Sequence, residues 1–400
     1  MKSISNSAPS LEEIRDWVSE KRGILTTSSA RVYRESYFGN NIIAQNDSPT
    51  PSKIDGRGYV LVELWIMSMV EADNPVSMPG EGLTKIVVNG KEISLARLRV
   101  LAGDLLFGEY GSRWPLTKVL DIGGNRIDTS FGSIETPPIP VHVHGGIVAD
   151  GKVLKPGKSE AYFFPPINIP PYNKNISAKT RIGLKPGVTQ EDVKTRLQEF
   201  GKNDSMYTLL NEFDILPETS WTVPAGVLHA PGPYITFEIQ LAQDDYNLAS
   251  WRLGERLEDT ERSRRYQELV LRGLKDEGEY IEQILDWPLT SGQSLEATYF
   301  HKPKLIKSGK WGKRYQIFFD QFYGESWEIL PGQTMSLSAK EVPQAGIVWS
   351  GEGEMNGNQI SRDSHGEFLC IPNTELSLSN TGPLPLLIYT VEPIRENDHS

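Results

Sequence analysis

The alternation of apolar and polar positions divides the chain into short strands punctuated by a few helices. Ser10-Leu-Glu-Glu13 has the form of a capping box, and Leu11, Ile14 and Val18 follow at helical spacing, which predicts a helix over about 10–21. Residues 44–58 cluster Asn, Asp, Ser, Pro and Gly and read as an exposed loop. The run from Tyr59 to Val70, rich in Val, Leu, Ile, Met and Trp, reads as a strand of a barrel wall, and Asn89-Gly90 marks a tight turn. Ser94 then caps a helix whose Leu95, Leu98, Leu101 and Leu105 form one apolar stripe for core packing. From about 114 to 245 the pattern is strands and turns with one helical insertion. It opens at Thr189 with Val193, Leu197 and Phe200 on one face, and Met206 to Phe213 is expected to continue it as a second helix.

Residues 258–286 are strongly charged, with Tyr266, Leu269, Val270, Tyr280, Ile281 and Ile284 at helical intervals, and predict a linker helix packed across the outside of the barrels. Beyond 294 short strands return at regular spacing: Arg314 to Gln321, Glu325 to Leu330, Gly346 to Trp349, Glu367 to Ile371 and Pro385 to Val391. Such spacing, with Gly and Pro turns, suggests a second barrel. The fold class expected is therefore all-β with helical insertions. Three segments follow: an N-terminal barrel domain over 1–255, a linker helix over 256–290, and a C-terminal barrel over 291–400.

Composition narrows the function classes. The 400 residues can bury a large core, and 38% hydrophobic with 23% charged residues describes an ordinary folded protein. A net charge of −11 argues against nucleic acid or an anionic membrane as partner, because both need a basic field. The same charge means that an anionic substrate would need a local basic pocket. No apolar run reaches the ~18–20 residues of a membrane helix, and the first residues lack a secretory pattern, so the cytoplasm is the expected location. The single cysteine, Cys370, excludes an internal disulfide and is expected as a buried strand thiol.

The candidate chemistry lies in three windows. Only six histidines occur, and three of them fall in Pro140-Val-His142-Val-His144 and Val223-Pro-Ala-Gly-Val-Leu-His229. In a strand, His142 and His144 point to the same side. Glu160, in Gly157-Lys158-Ser-Glu160, lies on a second apolar strand and could complete a cage of three nitrogens and one oxygen. That donor set suits one divalent metal, zinc before nickel, iron or manganese. The C-terminal half contains His301 and His365 but no His-x-His pair, so the metal is expected only in the first barrel.

The order of these windows is that of a cupin, a small jelly-roll barrel holding one metal, and the chain further resembles the type I mannose-6-phosphate isomerases. Trp114-Pro-Leu-Thr-Lys118-Val-Leu-Asp121 resembles their Phe-Pro-Leu-Leu-x-Lys-x-Leu-Asp, and Gly157-Lys158-Ser-Glu160 their Gly-Lys-Thr-Glu. Gly183-Leu-Lys-Pro-Gly187 and Val223-Pro-Ala-Gly-Val-Leu-His229-Ala likewise match family stretches, as does Phe237-Glu238-Ile-Gln240. The departures are informative. His142 stands where the family usually has glutamine, Gly145-Gly146 replaces Pro-Asp, and Asn247 follows Tyr246 where the family has the arginine of Thr-Tyr-Arg. Arg252 and Arg256 come shortly after and are candidates to stand in.

The resemblance implies two cupin barrels and aldose–ketose isomerisation of a sugar or sugar phosphate through an enediol. A metal polarises the substrate oxygens and a positioned base moves the proton. Lys158 shares a strand face with Glu160, and Glu238 shares one with Gln240, so Lys158, Glu238 and Arg252 are expected to line the pocket as catalytic groups. Two other classes fit the same ligands: a metal cupin that binds a carbohydrate without converting it, for which the missing arginine is the main support, and a cupin dioxygenase.

Overall fold

Phe163 and Phe237 on one large sheet meet Tyr389 and Phe318 on another, with ring centroids 5.2–5.6 Å apart, and this aromatic seam joins two antiparallel barrels back to back. The molecule is described from a computed structural model covering residues 8–34, 60–74, 78–122, 138–149, 152–166, 178–362 and 366–395. The expected loop at 44–58 and His365 lie outside the described residues.

In the first barrel a seven-stranded sheet runs Phe300–His301, Thr219–Val223, Glu160–Phe164, Ile235–Gln240, Leu116–Asp121, Val60–Ile66 and Ala30–Arg34. Across the cavity lies a five-stranded sheet ordered Leu210–Asp214, Lys179–Leu184, His229–Ala230, His142–Val143 and Asn247–Leu248. The second barrel repeats the plan. Its seven-stranded sheet is ordered Ile24–Thr27, Glu367–Cys370, Gln344–Ser350, Leu386–Val391, Gly324–Ile329, Gly312–Phe318 and Lys304–Gly309. It shares an apolar core, including Trp327, Met335, Leu376 and Leu378, with a four-stranded sheet. The architecture is that of two cupin barrels.

The period of two explains the division of labour on each strand. On Glu160–Phe164, Glu160 and Tyr162 line the first barrel's cavity, while Ala161 and Phe163 join the core shared with the second barrel. Lys118 and Glu238 face the cavity on their strands, and Val119, Phe237 and Ile239 face away. The barrels are also interlocked. The early strand Ile24–Thr27 pairs with Glu367–Cys370 of the second barrel, and the late strand Phe300–His301 pairs with Thr219–Val223 of the first. Each large sheet is thus finished by a strand from the other side of the chain.

The helix over Leu11–Glu20 forms with both halves of its capping box, and Asn89 and Gly90, at φ 49° and 79°, make the hairpin turn. The Leu95–Phe107 helix is capped by Ser94, and Cys370 is buried. Two expectations are corrected. Residues 206–213 are not a second helix: a 3₁₀ turn over Ser205–Leu209 runs into the strand Leu210–Asp214, because that segment completes the edge of the five-stranded sheet by pairing with Lys179–Leu184. Nor is 258–286 one continuous helix. It breaks into Asp259–Arg265, a π-helical stretch Tyr266–Leu271, and Glu277–Gln283, the break falling where Arg272 turns left-handed at φ 48°. Its Val270, Tyr280, Ile281 and Ile284 pack with Val141, Val143, Leu228 and Ala230, and so cover the outer face of the sheet that carries the histidines. Among the described residues no helix is long and apolar enough to cross a membrane.

Candidate metal centre and its cavity

Val141 and Val143 are buried against the helices, so the intervening parity turns His142 and His144 inward. His229 pairs directly with His142 in the neighbouring strand, and Glu160 enters from the opposite sheet. The candidate ligand atoms of His142, His144, Glu160 and His229 all lie within 4.8 Å of one another, every residue is buried, and the group could hold a metal ion.

Hydrogen bonding on the far side of each ring fixes its tautomer. Nδ1 of His142 lies 2.7 Å from the Pro140 carbonyl, Nδ1 of His144 2.7 Å from that of Asp245, and Nδ1 of His229 2.8 Å from that of Val227. A carbonyl oxygen can only accept, so each Nδ1 carries its hydrogen and donates, which leaves Nε2 of a neutral ring as a bare lone pair. Burial first, then the neighbouring rings of His229 and His144, which disfavour a second charge there, lowers His142 well below the usual histidine range; burial first, then Lys158, lowers His144 to about 4, so both are neutral at pH 7.

Burial opposes the charge on Glu160, but the carboxyl is held well below its ordinary range, with the Lys158 ammonium 3.4 Å away favouring the ionised form. Its two oxygens stand 3.0 Å from Nε2 of His144 and 3.0 Å from Nε2 of His229. Acceptors therefore face acceptors, and Nε2 of His229 is buried without a hydrogen-bond partner. Such a cluster is repulsive without a cation and suited to one with it. Tyr162 donates its hydroxyl to Glu160, and Lys158 Nζ, 3.4 Å from that carboxylate, also donates to Gln240 at 2.8 Å.

The centre opens into a cavity of about 170 Å³. All three other expected site residues line it. Lys158 sits beside Glu160, Glu238 on the large sheet, and Arg252 on the segment after the Asn247–Leu248 strand. Arg256 does not line it; that side chain is half exposed and bound to Asp204. Asn247 is turned out of the cavity, where its amide donates to the Val270 carbonyl at 3.1 Å. Asn247 thus fastens the sheet to the segment covering it.

Sequence reasoning missed a second polar group on the large sheet. Lys118 Nζ lies 3.4 Å from Glu63 and 3.6 Å from Glu238. Arg34 donates to Glu63 at 2.9 Å, to Asn74 at 2.7 Å and to both oxygens of Asp244 at 2.9 and 3.0 Å. Trp65 donates its indole hydrogen to the other Glu63 oxygen at 2.6 Å. Burial, together with the charges of Glu160 and Glu63, pushes Glu238 up to about 7 against the opposing pull of Lys118. Arg34 holds Asp244 down at about 2 against its burial. The available signal was a charge at inward parity in a largely apolar strand: Glu63, the only charge in Val60–Ile66, and Lys118 in Leu116–Asp121.

No protein-family model and no curated protein sequence matches the chain. Its fold matches solved structures along nearly its whole length. A candidate mannosephosphate isomerase from Archaeoglobus fulgidus aligns at 16% identity over 93% of this chain and 98% of that one, with a TM-score of 0.60. The mannose 6-phosphate isomerase of Bacillus subtilis aligns at 17% identity over 93% and 99%, with a TM-score of 0.58. A point variant of phosphomannose isomerase from Salmonella typhimurium aligns at 13% identity over 93% and 100%, with a TM-score of 0.57. At these identities the likeness is one of fold.

Proposed function

We propose that the protein is a metal-dependent aldose–ketose isomerase acting on a sugar, with one divalent ion, zinc first, held by His142, His144, Glu160 and His229. The observation that carries this reading is the meeting of two groups in one buried cavity: a donor set that calls for a cation, and a carboxyl poised near neutrality beside a lysine. The resemblance of motifs and the shared fold support it.

When bound, the ion would supply Lewis-acid charge to neighbouring substrate oxygens. The chain's own groups account for the rest. Glu238 near pH 7 can take a proton from one sugar carbon and return it to the next, the condition under which a general base works best. Lys118 sits between Glu238 and Glu63 and stabilises the carboxylate form of Glu238, so that the proton can leave. Lys158, oriented by Gln240 and Glu160, presents a cation beside the centre, where it can stabilise negative charge developing on an enediol oxygen. Arg34 is a positioning residue that fixes Glu63 and Asp244. The Tyr266–Leu271 and Glu277–Gln283 segments, packed over the histidine sheet, keep the ligand strands dry.

The test is conversion of free and phosphorylated hexoses and pentoses by metal-loaded protein in deuterated water. Deuterium at the carbon next to the carbonyl is expected in the product; a fully loaded protein that converts none of these sugars and exchanges no proton overturns the reading. One observation favours a second reading, a carbohydrate binder without turnover: Asn247, where the resembled enzymes have an arginine, is committed to Val270. Sugar-dependent stabilisation without proton exchange would identify the binder.

A further inference from the structure

We infer that Ser250 and Thr290 are positioning residues of the metal centre, each aiming one ligand histidine through the peptide plane just before it. The inference rests on the four-ligand reading of the centre and adds to it two side chains that set its geometry from outside the cavity.

The ring of His229 donates from Nδ1 to the Val227 carbonyl, and the N–H of that same peptide group is the one on Leu228. This N–H donates to the Thr290 hydroxyl oxygen at 3.0 Å. His142 repeats the arrangement. Its Nδ1 donates to the Pro140 carbonyl, and the N–H of that peptide group, on Val141, donates to the Ser250 hydroxyl oxygen at 2.9 Å. A peptide group is planar and stiff, so a hydroxyl holding its N–H end fixes the direction of its C=O end. The carbonyl in turn fixes the rotation of the ring, and with it the aim of Nε2. Bonding of the N–H also polarises the carbonyl into a stronger acceptor. His142 and His229 are direct partners across neighbouring strands, so the two relays hold a facing pair of ligands. His144 is held differently, by the Asp245 carbonyl of a distant segment.

Both hydroxyls are buried and neither residue lines the cavity. Each belongs to a segment with further holds on the same stretch of chain. The Ser250 N–H donates back to the Val141 carbonyl at 3.1 Å, so Ser250 holds both main-chain groups of the residue before His142. Thr290 closes the short helix Trp287–Thr290, and the residue that caps that helix, Asp286, donates its N–H to the Gly226 carbonyl at 3.0 Å. Turn and helix are in close contact, since a Cβ on Gly226 would come 2.5 Å from the Asp286 nitrogen. The Leu228 carbonyl accepts the Gly183 N–H at 2.7 Å, which ties the other side of the turn to the neighbouring strand. A buried N–H that lost its hydroxyl would stay unsatisfied, or its plane would turn toward another acceptor and swing the carbonyl away from the histidine.

The experiment uses the full chain with cobalt(II) as the probe, because its visible absorption reports ligand geometry. Cobalt affinity is measured by competition with a chelator for wild type, Ser250→Ala, Thr290→Val and Thr290→Ser. Leu378→Ala, in the core of the second barrel, serves as the control for lost stability alone. We expect Ser250→Ala and Thr290→Val each to weaken cobalt binding by about 10–100-fold, the usual effect of removing an outer hydrogen-bonding partner of a metal ligand, and to shift the absorption bands. Thr290→Ser keeps the hydroxyl and should restore both, while Leu378→Ala should lower Tm and change neither. Wild-type affinity and spectrum in Ser250→Ala and Thr290→Val overturn the inference, and so does an equal loss of affinity in Leu378→Ala. Should Thr290→Val fail to fold, Ser250→Ala makes the same comparison for His142. A wild-type chain that binds no cobalt overturns the four-ligand centre and the inference with it. One that binds cobalt, loses it in these variants and converts no sugar leaves the inference standing and removes the isomerase reading.

Discussion

The Glu160 carboxylate stands 3.0 Å from Nε2 of His144, a nitrogen whose ring already donates its only hydrogen, from Nδ1, to the Asp245 carbonyl. Two acceptors at that separation repel unless a cation lies between them. Binding of a divalent ion to the folded chain therefore stabilises it by mass action, about 2.7 kcal/mol when the free ion is a hundredfold above its Kd. Chelation is expected to lower Tm by several degrees, and re-addition of zinc to restore it. Glu160→Gln and His144→Ala should bind well under one ion per chain in metal analysis. Wild-type protein with no ion, and a Tm indifferent to chelator, would refute the four-ligand centre.

Glu238→Gln removes the proton carrier without touching a ligand atom. Metal content should be retained while kcat falls by about 10²–10⁴, the usual contribution of a positioned acid–base group. Glu238 must be ionised to accept a proton, and burial lifts it to about 7. Activity should therefore rise with pH through an acidic limb at or below that value, since a bound cation nearby favours the ionised form. The limb should vanish in the variant's residual activity. A wild-type kcat/KM that is flat between pH 5 and 8 would remove Glu238 from this role.

Gly145 follows the ligand His144 and packs against the segment that covers the histidine sheet. A Cβ there would come 2.2 Å from the Ile284 carbonyl oxygen and 2.6 Å from its Cα, both backbone atoms that cannot swing aside. Gly145→Ala is expected to cost about 1–3 kcal/mol in stability, as overpacking does, and to weaken metal binding by displacing His144. Denaturant unfolding and metal titration on the same preparation measure both. An unchanged midpoint would show that the 258–286 segment does not press on the centre.

Glu367, 1% exposed beside the strand Ile24–Thr27, accepts the Met67 backbone hydrogen at 3.2 Å, and burial lifts its carboxyl to about 8. The folded-state value lies above the unfolded one of about 4.3. Its contribution to stability is therefore complete below about pH 4 and is lost as pH rises toward 8, by at most about 1.4 kcal/mol per pH unit. Glu367→Gln should flatten this decline and be more stable than wild type, relative to their difference at pH 5, when both are unfolded at pH 8.5. Parallel stability–pH curves for the two proteins would exclude a buried, neutral Glu367.

The sequence by itself determined those features that depend on local periodicity and chain order. Strand parity placed His142 and His144 on one face, the capping boxes and the Asn89-Gly90 turn fixed local elements, and the order of His-x-His, glutamate and Pro-x-Gly-x-x-His marked the centre. Lys158, Glu238 and Arg252 were placed in the cavity by the same parity and by proximity along the chain. Tertiary structure alone decided what depends on partners far away in sequence. Arg34 meets Asp244 across 210 positions, Arg265 joins Arg252 at Trp251 because a helix end folds back over the sheet, and residues 210–214 become a strand because an edge awaits them. The exchange of Ile24–Thr27 and Phe300–His301 between barrels has the same origin, since edge pairing is satisfied by whichever extended segment the packed sheets bring alongside. A charge buried in an apolar strand shows in the sequence only as an anomaly; which opposite charge neutralises it is settled by the packing of the two sheets around the cavity.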